Sequence, residues 1–159
     1  MDDNYYLSLA VLDRINEEVI AKFGGPCIFA KHLKKTRTYW TDLLRSRYSI
    51  QVDTFIRLAE AVGVSVEYLL TGKNKQPYKP VEVCYDVLLA KYQDYICNKR
   101  YLCGAIIPHT LKVLTGIIKK RKCNITLTTL FRFEDLLHTS AYQLAFKELN
   151  TPATPENSP

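Results

Sequence analysis

The chain has 159 residues, of which 47% are apolar and 24% are charged. That composition supports a buried core, but no apolar run approaches the roughly 18 residues that a membrane-spanning helix needs. The N-terminus, MDDNYY, is acidic and aromatic, whereas a secretory signal is basic and then apolar. We therefore expect a globular cytoplasmic protein that binds no membrane.

The number and spacing of cysteines and histidines indicate whether a metal site or a disulfide framework is expected. The 5 cysteines form no CxxC pair, and the 3 histidines lie far apart. Because a zinc site or a disulfide framework needs suitably spaced or paired residues, neither is expected. We predict no metal and no cofactor, and we interpret the cysteines as small buried side chains.

Apolar periodicity predicts five short helices in the first half of the chain. The first should end at the glycine pair 24–25, because glycine readily takes the left-handed conformation that stops a helix. Pro26 suits the first turn of a second helix, which should end near Lys34. The side chains of the first helix that should face inward are Leu12, Ile15, Val19, Ile20 and Phe23.

The third predicted helix is amphipathic, and Thr36 is its expected capping residue. Its apolar side is formed by Tyr39, Trp40, Leu43 and Leu44. Its polar side is formed by Arg37, Thr38, Thr41, Asp42 and Arg45.

Capping residues mark two further helices. Asp53 or Thr54 should open the fourth helix, and Gly63 should close it. Ser65 should cap the fifth. Because strand signals are weak throughout, we expect one compact all-α domain here.

The positive charge of the chain is unevenly distributed. Residues 1–72 carry nine Lys/Arg and nine Asp/Glu, whereas residues 73–159 carry thirteen and seven, so the second half holds the whole net charge of +6. Within the neutral half, residues 31–47 contain six Lys/Arg against Asp42 alone. Such a basic stripe is typical of a phosphate-binding surface. The alternative is an ordinary solvated surface.

Residues 29–70 resemble, without a gap, the core of the Cro/C1 (XRE) type helix-turn-helix family of bacterial and phage DNA-binding regulators. The segment LAEAVGVSVEYLL at residues 58–70 is close to the LAKALGVSLDELL usual in that family. Lys34 stands where the family has a turn glycine, and Pro26 stands where it has glutamine. The inward positions of the motif, with its small residue, fall on Phe29, Ala30, Leu33, Trp40 and Leu43.

The resemblance implies that the third helix enters the major groove of double-stranded DNA. The positions it assigns to base contacts are Arg37, Thr38 and Asp42, and the adjacent Thr41 is expected to contact bases as well. The positions it assigns to phosphate contacts are Arg45 and Arg47, and the further residues expected to contact phosphate are Lys31, Lys34, Lys35 and Thr36. Asp42 has an alternative interpretation as an intrahelical ion-pair partner of Arg45.

The second half repeats the pattern of the first. A shift of 74 residues places residues 29–48 over 103–122, and a shift of 75 places residues 49–70 over 124–145, with capping and apolar positions in agreement. We interpret this as a diverged tandem duplication, the alternative being chance agreement between helical patterns.

The expected fold is therefore all-α, a tandem pair of small five-helix lambda-repressor-like domains, the second diverged. Residues 5–72 form the first domain, 73–80 a polar linker, 81–149 the second domain, and 150–159 a disordered tail. Ser140 should cap the last helix. Candidates for secondary contacts to the DNA backbone are Lys112, Lys119, Lys120, Arg121 and Lys122.

The function expected is sequence-specific DNA binding by a transcriptional regulator, a phage-like or antitoxin-like repressor associated with the nucleoid. A homodimer or the C-terminal copy would supply the second half-site, and dimerisation is the alternative role of the second half. A protein-interaction module that keeps the fold without binding DNA is the alternative function. Because no glycine-rich phosphate loop, paired carboxylates or Ser/Cys-His grouping stands out, an enzyme is not expected.

Overall fold

A computed structural model describes residues 3–45, 50–99, 116 and 125–149. These residues are mostly helical, with two short strands. In chain order, the elements are α1 (Asp3–Phe23), α2 (Pro26–His32), α3 (Tyr39–Arg45), α4 (Val52–Val62), α5 (Val66–Thr71), β1 (Val81–Val83), α6 (Asp86–Lys99), α7 (Leu127–Leu137), α8 (Ala141–Ala145) and β2 (Phe146–Glu148).

The junction of α1 and α2 confirms the predicted glycine stop of the first helix and the predicted proline start of the second. Gly24 has a φ of 73°, and its N–H donates to the carbonyl of Ile20 over 2.9 Å. Pro26 is the first residue of α2. The prediction that Ile20 faces inward is wrong, because its side chain is 55% exposed. Ile20 lies about 100° around the helix from the buried Val19, which places it outside the apolar stripe.

The start of α4 differs from the prediction. The helix begins at Val52 with Gln51 as its N-cap, and Gln51 makes no side-chain capping bond. The N–H of Val52 instead donates to the carbonyl of Ile125 over 2.9 Å. Asp53 and Thr54 were therefore wrong starting points, because a partner in the second half replaces a local cap. The end of α4 is as predicted, since Gly63 takes a left-handed φ of 80°.

Serine caps two helices as expected. The hydroxyl of Ser65 accepts the N–H of Tyr68 over 3.2 Å at the start of α5. The hydroxyl of Ser140 accepts the N–H of Gln143 over 3.3 Å at the start of α8. Each cap satisfies one backbone donor that the first turn of a helix leaves without a partner.

The all-α expectation needs one correction, a two-stranded antiparallel sheet. β1 pairs with β2, with Val81 opposite Glu148 and Val83 opposite Phe146. α8 is only five residues long, and the chain continues directly from Ala145 into β2. Three-residue strands have little local signal of their own, and this pair forms because tertiary packing brings distant segments together.

One hydrophobic core joins the two halves of the chain. α1 packs against α7 as well as against α2, α4 and α5. The rings of Phe55 and Phe146 meet edge to face with centroids 6.2 Å apart, and Tyr92 meets Phe133 at the same distance. The buried side chains of both halves belong to a single cluster.

The predicted linker is hydrogen-bonded to the first half. Ser65 N–H donates to the carbonyl of Gln76 over 2.9 Å, and Tyr78 N–H donates to the carbonyl of Gly63 over 3.0 Å. Lys75 forms a salt bridge with Glu18 of α1. The division into domains 5–72 and 81–149 stays a prediction, and the tail 150–159 lies outside the described residues.

Several elements of the two halves correspond at a constant offset. α4 and α7 are each 11 residues long, and their first residues are Val52 and Leu127. They end at left-handed residues, Gly63 and His138. α5 and α8 follow, each capped by a serine. Every one of these pairs is separated by 75 residues, the same shift that aligns the sequences.

Candidate nucleic-acid interface

The turn between α2 and α3 keeps the geometry of a glycine turn although a lysine occupies it. Lys34 has a left-handed φ of 55°. Its N–H donates to the carbonyl of Lys31 over 3.0 Å, and Lys35 N–H donates to the carbonyl of Ala30 over 2.9 Å. This pair of bonds is the Schellman arrangement, which ends a helix with a left-handed residue. The backbone strain of about 1 kcal/mol at Lys34 is small beside the burial of Phe29.

α3 begins later than the sequence predicts. The N–H of Tyr39 donates to the carbonyl of Thr36 over 3.0 Å, which closes a tight turn ahead of the helix. The first regular helical bond runs from Asp42 N–H to the carbonyl of Thr38, over 2.8 Å. Thr38 rather than Thr36 therefore flanks the helix, and Arg37 lies in the preceding turn. The prediction that placed Arg37 and Thr38 within the helix is corrected accordingly, by a shift that is common at helix ends.

Trp40 anchors the inner side of α3. Its side chain is fully buried, and its ring meets that of Phe29 edge to face with centroids 5.2 Å apart. Its indole N–H donates to the side-chain oxygen of Asn16 on α1 over 2.9 Å. The predicted core position of Trp40 is confirmed. Sequence reasoning missed Asn16, although a buried indole usually requires an acceptor.

The outer side of α2, the turn and α3 is polar and open to solvent. Among the predicted base-contacting residues, Arg37, Thr38 and Asp42 are exposed and Thr41 is half-buried. The exposed residues among the predicted phosphate contacts are Lys31, Lys34, Lys35, Thr36 and Arg45. Arg47 lies outside the described residues. We call the exposed side chains of residues 31–45 the basic surface.

The basic surface is strongly positive because its cations outnumber its acids. Residues 26–45 carry five Lys/Arg and one Asp, a net charge of +4. Asp42 and Arg45 do not pair, and the salt bridges within the described part of the chain, Lys75 with Glu18 and Lys79 with Glu148, lie elsewhere. The intrahelical pair considered for Asp42 is therefore absent from this arrangement.

One contact positions a cation on this surface. The Lys35 ammonium lies 5.7 Å from the centroid of the Tyr39 ring, a distance at which a cation is attracted to the ring face. A side-chain hydrogen bond with Cys27 raises the pKa of Arg37 above its usual value. Cys27 is exposed on α2, so the expectation that the cysteines are buried is wrong here, because Phe29 and Ala30 fill the inner side of that helix.

The other predicted features are distributed as follows. Cys84 is half-buried, with its sulfur 3.3 Å from an Asp86 carboxylate oxygen. The described residues hold no cluster of three His, Cys, Asp or Glu side chains suited to a metal ion. None of the helices described is both long and apolar enough to cross a membrane. The predicted secondary cations, which lie outside the described residues, are Lys112, Lys119, Lys120, Arg121 and Lys122.

Comparison of the chain with protein-family models, with curated proteins and with solved structures returned no match.

Proposed function

We propose that this chain is a sequence-specific DNA-binding transcriptional regulator, a repressor of phage or antitoxin type, which inserts α3 into the major groove of double-stranded DNA. The observation that carries the proposal is the two-sided character of α3. Trp40 is buried against Phe29 and Asn16, whereas Asp42 and Arg45 are exposed on the same helix. A helix held from behind, with its polar side free, suits insertion into a groove.

The residues around the start of α3 have side chains suited to reading bases. Recognition helices contact base edges mainly with residues near their N-terminal end, which is where Arg37 and Thr38 lie. The guanidinium of Arg37 can donate two hydrogen bonds to a guanine, and Asp42 can accept one from a cytosine amino group. Thr38 and Thr41 offer a hydroxyl or a methyl group to the neighbouring base pairs.

The remaining cations would hold the DNA backbone. A net charge of +4 on residues 26–45 supplies an attraction that does not depend on base sequence and that weakens as salt is added. The residues proposed for phosphate contact are Lys31, Lys34, Lys35, Thr36, Arg45 and Arg47.

The tandem organisation is part of the proposal. Two lambda-repressor-like units, residues 5–72 and 81–149, are supported by the matching lengths and ends of α4 and α7 and by the shared serine caps of α5 and α8. Five cations of the second unit are proposed as further contacts to the DNA backbone: Lys112, Lys119, Lys120, Arg121 and Lys122.

One observation favours the alternative, a protein-interaction module that does not bind DNA. Ile28, on α2 beside the basic surface, is 59% exposed, and exposed large apolar side chains occur at protein interfaces. A single isoleucine is a smaller signal than the charge of the basic surface, because scattered exposed apolar residues are common on ordinary surfaces.

Selection of bound genomic fragments by the full chain, followed by footprinting of one fragment, tests the proposal. We expect a defined footprint that is lost when Arg37 and Arg45 are both replaced by alanine. The matched control is Arg57→Ala, which removes an exposed arginine of α4 that lies outside the basic surface. If the native chain selects no fragment, or if both variants behave alike, DNA binding through α3 is rejected.

A further inference from the structure

The two halves of the chain are joined by a reciprocal backbone pairing. Val52 N–H donates to the carbonyl of Ile125, and Leu127 N–H donates to the carbonyl of Ile50, both over 2.9 Å. Gln51 and Thr126 stand opposite each other between these bonds as an antiparallel bridge. Since residues 50–52 and 125–127 are separated by 75 positions, exchanging the halves converts each hydrogen bond into the other. The pairing therefore has a local two-fold relation.

The packing around this bridge follows the same relation. Ile50 and Ile125 are buried on either side of the bridge, as are Val52 and Leu127. α4 and α7 start here and both run for 11 residues. Farther along the chain, α5 packs against α8, its counterpart at the same offset. Contact between equivalent elements is the mark of the isologous interface found in two-fold symmetric dimers.

We infer that this chain is a fused pseudo-dimer that recognises DNA as a single chain, without a second copy. The backbone donors at Val52 and Leu127 are already bonded within the chain, and the apolar residues beside them are buried. Within the described residues, a second copy could therefore repeat this pairing only by displacing the bonds that Val52 and Leu127 already make inside the chain. The inference that one chain recognises DNA rests on the proposed DNA-binding function. The internal pairing between the two halves does not depend on that function.

The two halves are similar but not identical, and this affects the DNA site. Gly63 of the first half corresponds to His138 of the second, and Phe55 corresponds to Leu130. Symmetric homodimers match palindromic operators because the protein and the DNA share a two-fold axis. In this chain the two-fold relation between the halves is only approximate, so it does not require a palindromic operator. We therefore expect the bound DNA sequence to be non-palindromic.

Light scattering on the native chain is the first test. We expect a single species at the chain mass of 18.3 kDa, and one chain per duplex when a selected genomic fragment is added. A stable species of twice the chain mass, or two chains on one duplex, would overturn the inference.

A double cysteine variant, Gln51→Cys with Thr126→Cys, tests the pairing itself. In an antiparallel bridge flanked by its hydrogen bonds, the opposed Cα atoms lie about 4.5 Å apart, which is within the range that a disulfide spans. We expect mild oxidation to join these two residues within one chain, with DNA affinity changed less than about threefold. A disulfide between two chains, identified by peptide mapping, would show that the pairing is intermolecular and would overturn the inference.

Controls separate this test from that of DNA binding. The single variants Gln51→Cys and Thr126→Cys show whether native cysteines react, and light scattering on the native chain decides the matter even if the double variant fails to fold. An intramolecular disulfide without binding to any duplex would reject the proposed function while supporting the internal pairing. Two chains on one duplex would support DNA binding and reject the single-chain inference.

Discussion

Trp40 donates its indole N–H to the side-chain oxygen of Asn16 over 2.9 Å, and this bond connects α3 directly to α1. The indole ring also meets Phe29 of α2. The orientation of α3 therefore depends on both preceding helices. Any change that loosens this contact should affect the stability of the protein and the presentation of the basic surface together.

Asn16→Ala should lower the free energy of unfolding by about 1–3 kcal/mol, because the buried indole N–H of Trp40 would lose its acceptor. Urea denaturation measures this change. The matched control is Glu17→Ala, which alters an exposed neighbour on the same helix and should change stability by less than about 0.5 kcal/mol. Equal stability of the two variants would show that the Asn16 bond does not hold α3.

Lys34→Gly should raise the free energy of unfolding by about 1 kcal/mol, because glycine adopts the left-handed conformation without steric strain. Thermal or urea denaturation measures the gain. Lys35→Gly removes the same charge from the next residue, which is not among the described residues with positive φ, and it should destabilise the protein. If both glycine variants shift stability in the same direction, strain at Lys34 is not the cause.

Arg37→Ala should relax the preference of the protein at one base position of the operator. The expected loss on the preferred sequence is roughly tenfold or more, because a bidentate contact to guanine would be removed. Binding assays on a set of single-base operator variants measure this change in specificity. Arg57→Ala is the control. A uniform weakening on all sequences would instead assign Arg37 to the DNA backbone.

Arg45→Ala and Arg47→Ala should weaken binding to all sequences about equally. Loss of one phosphate contact should also reduce the slope of log affinity against log salt concentration by about 1. Titrations at several salt concentrations, on operator and on unrelated DNA, measure both effects. A change confined to the operator would contradict the assignment of these residues to phosphate contact.

Titration of Tyr142 should make the free energy of unfolding depend on pH in the alkaline range. Burial, followed by the negative charge of Glu148 and a hydrogen bond to it, raises the pKa of Tyr142 to about 12. Because its pKa is higher in the folded state than the usual value of 10.0, the folded state retains the proton longer. The stabilisation is present below about pH 10 and is lost as the pH rises toward 12.

Tyr142→Phe provides the measurement for that prediction. The difference in unfolding free energy between the native chain and the variant should shrink as the pH rises from 9 through 11. Other tyrosines titrate in both proteins, so only the difference between them is informative. A difference independent of pH would show that Tyr142 has the same pKa in the folded and unfolded chains.

Several helix ends could be predicted from the sequence because they depend on one residue and its near neighbours. Gly24 and Gly63 adopt left-handed backbone conformations at the ends of α1 and α4. Ser65 and Ser140 accept the N–H of the residue three positions later. Such interactions span a single turn, so the residue types that favour them are visible without knowledge of the fold.

Several features that the sequence did not reveal depend on distant partners. α4 begins at Val52 because the carbonyl of Ile125 accepts its N–H. β1 forms because β2 lies alongside it. The guanidinium of Arg14 donates to the carbonyl of Leu69 at the end of α5, over 2.7 Å, and nothing in the neighbouring sequence predicts that bond.

The candidate site shows the same difference between local features, which the sequence predicts, and long-range contacts, which it does not. By itself, the sequence determined which side chains around α3 are cationic or hydroxyl-bearing and that Trp40 belongs to the core, because charge and apolar periodicity are local properties. Only the tertiary structure decided that Asn16 holds Trp40 and that the two halves pair through residues 51 and 126. Those outcomes depend on contacts between segments far apart in the chain, and the free energy of such contacts is set by packing rather than by the conformational preference of any one segment.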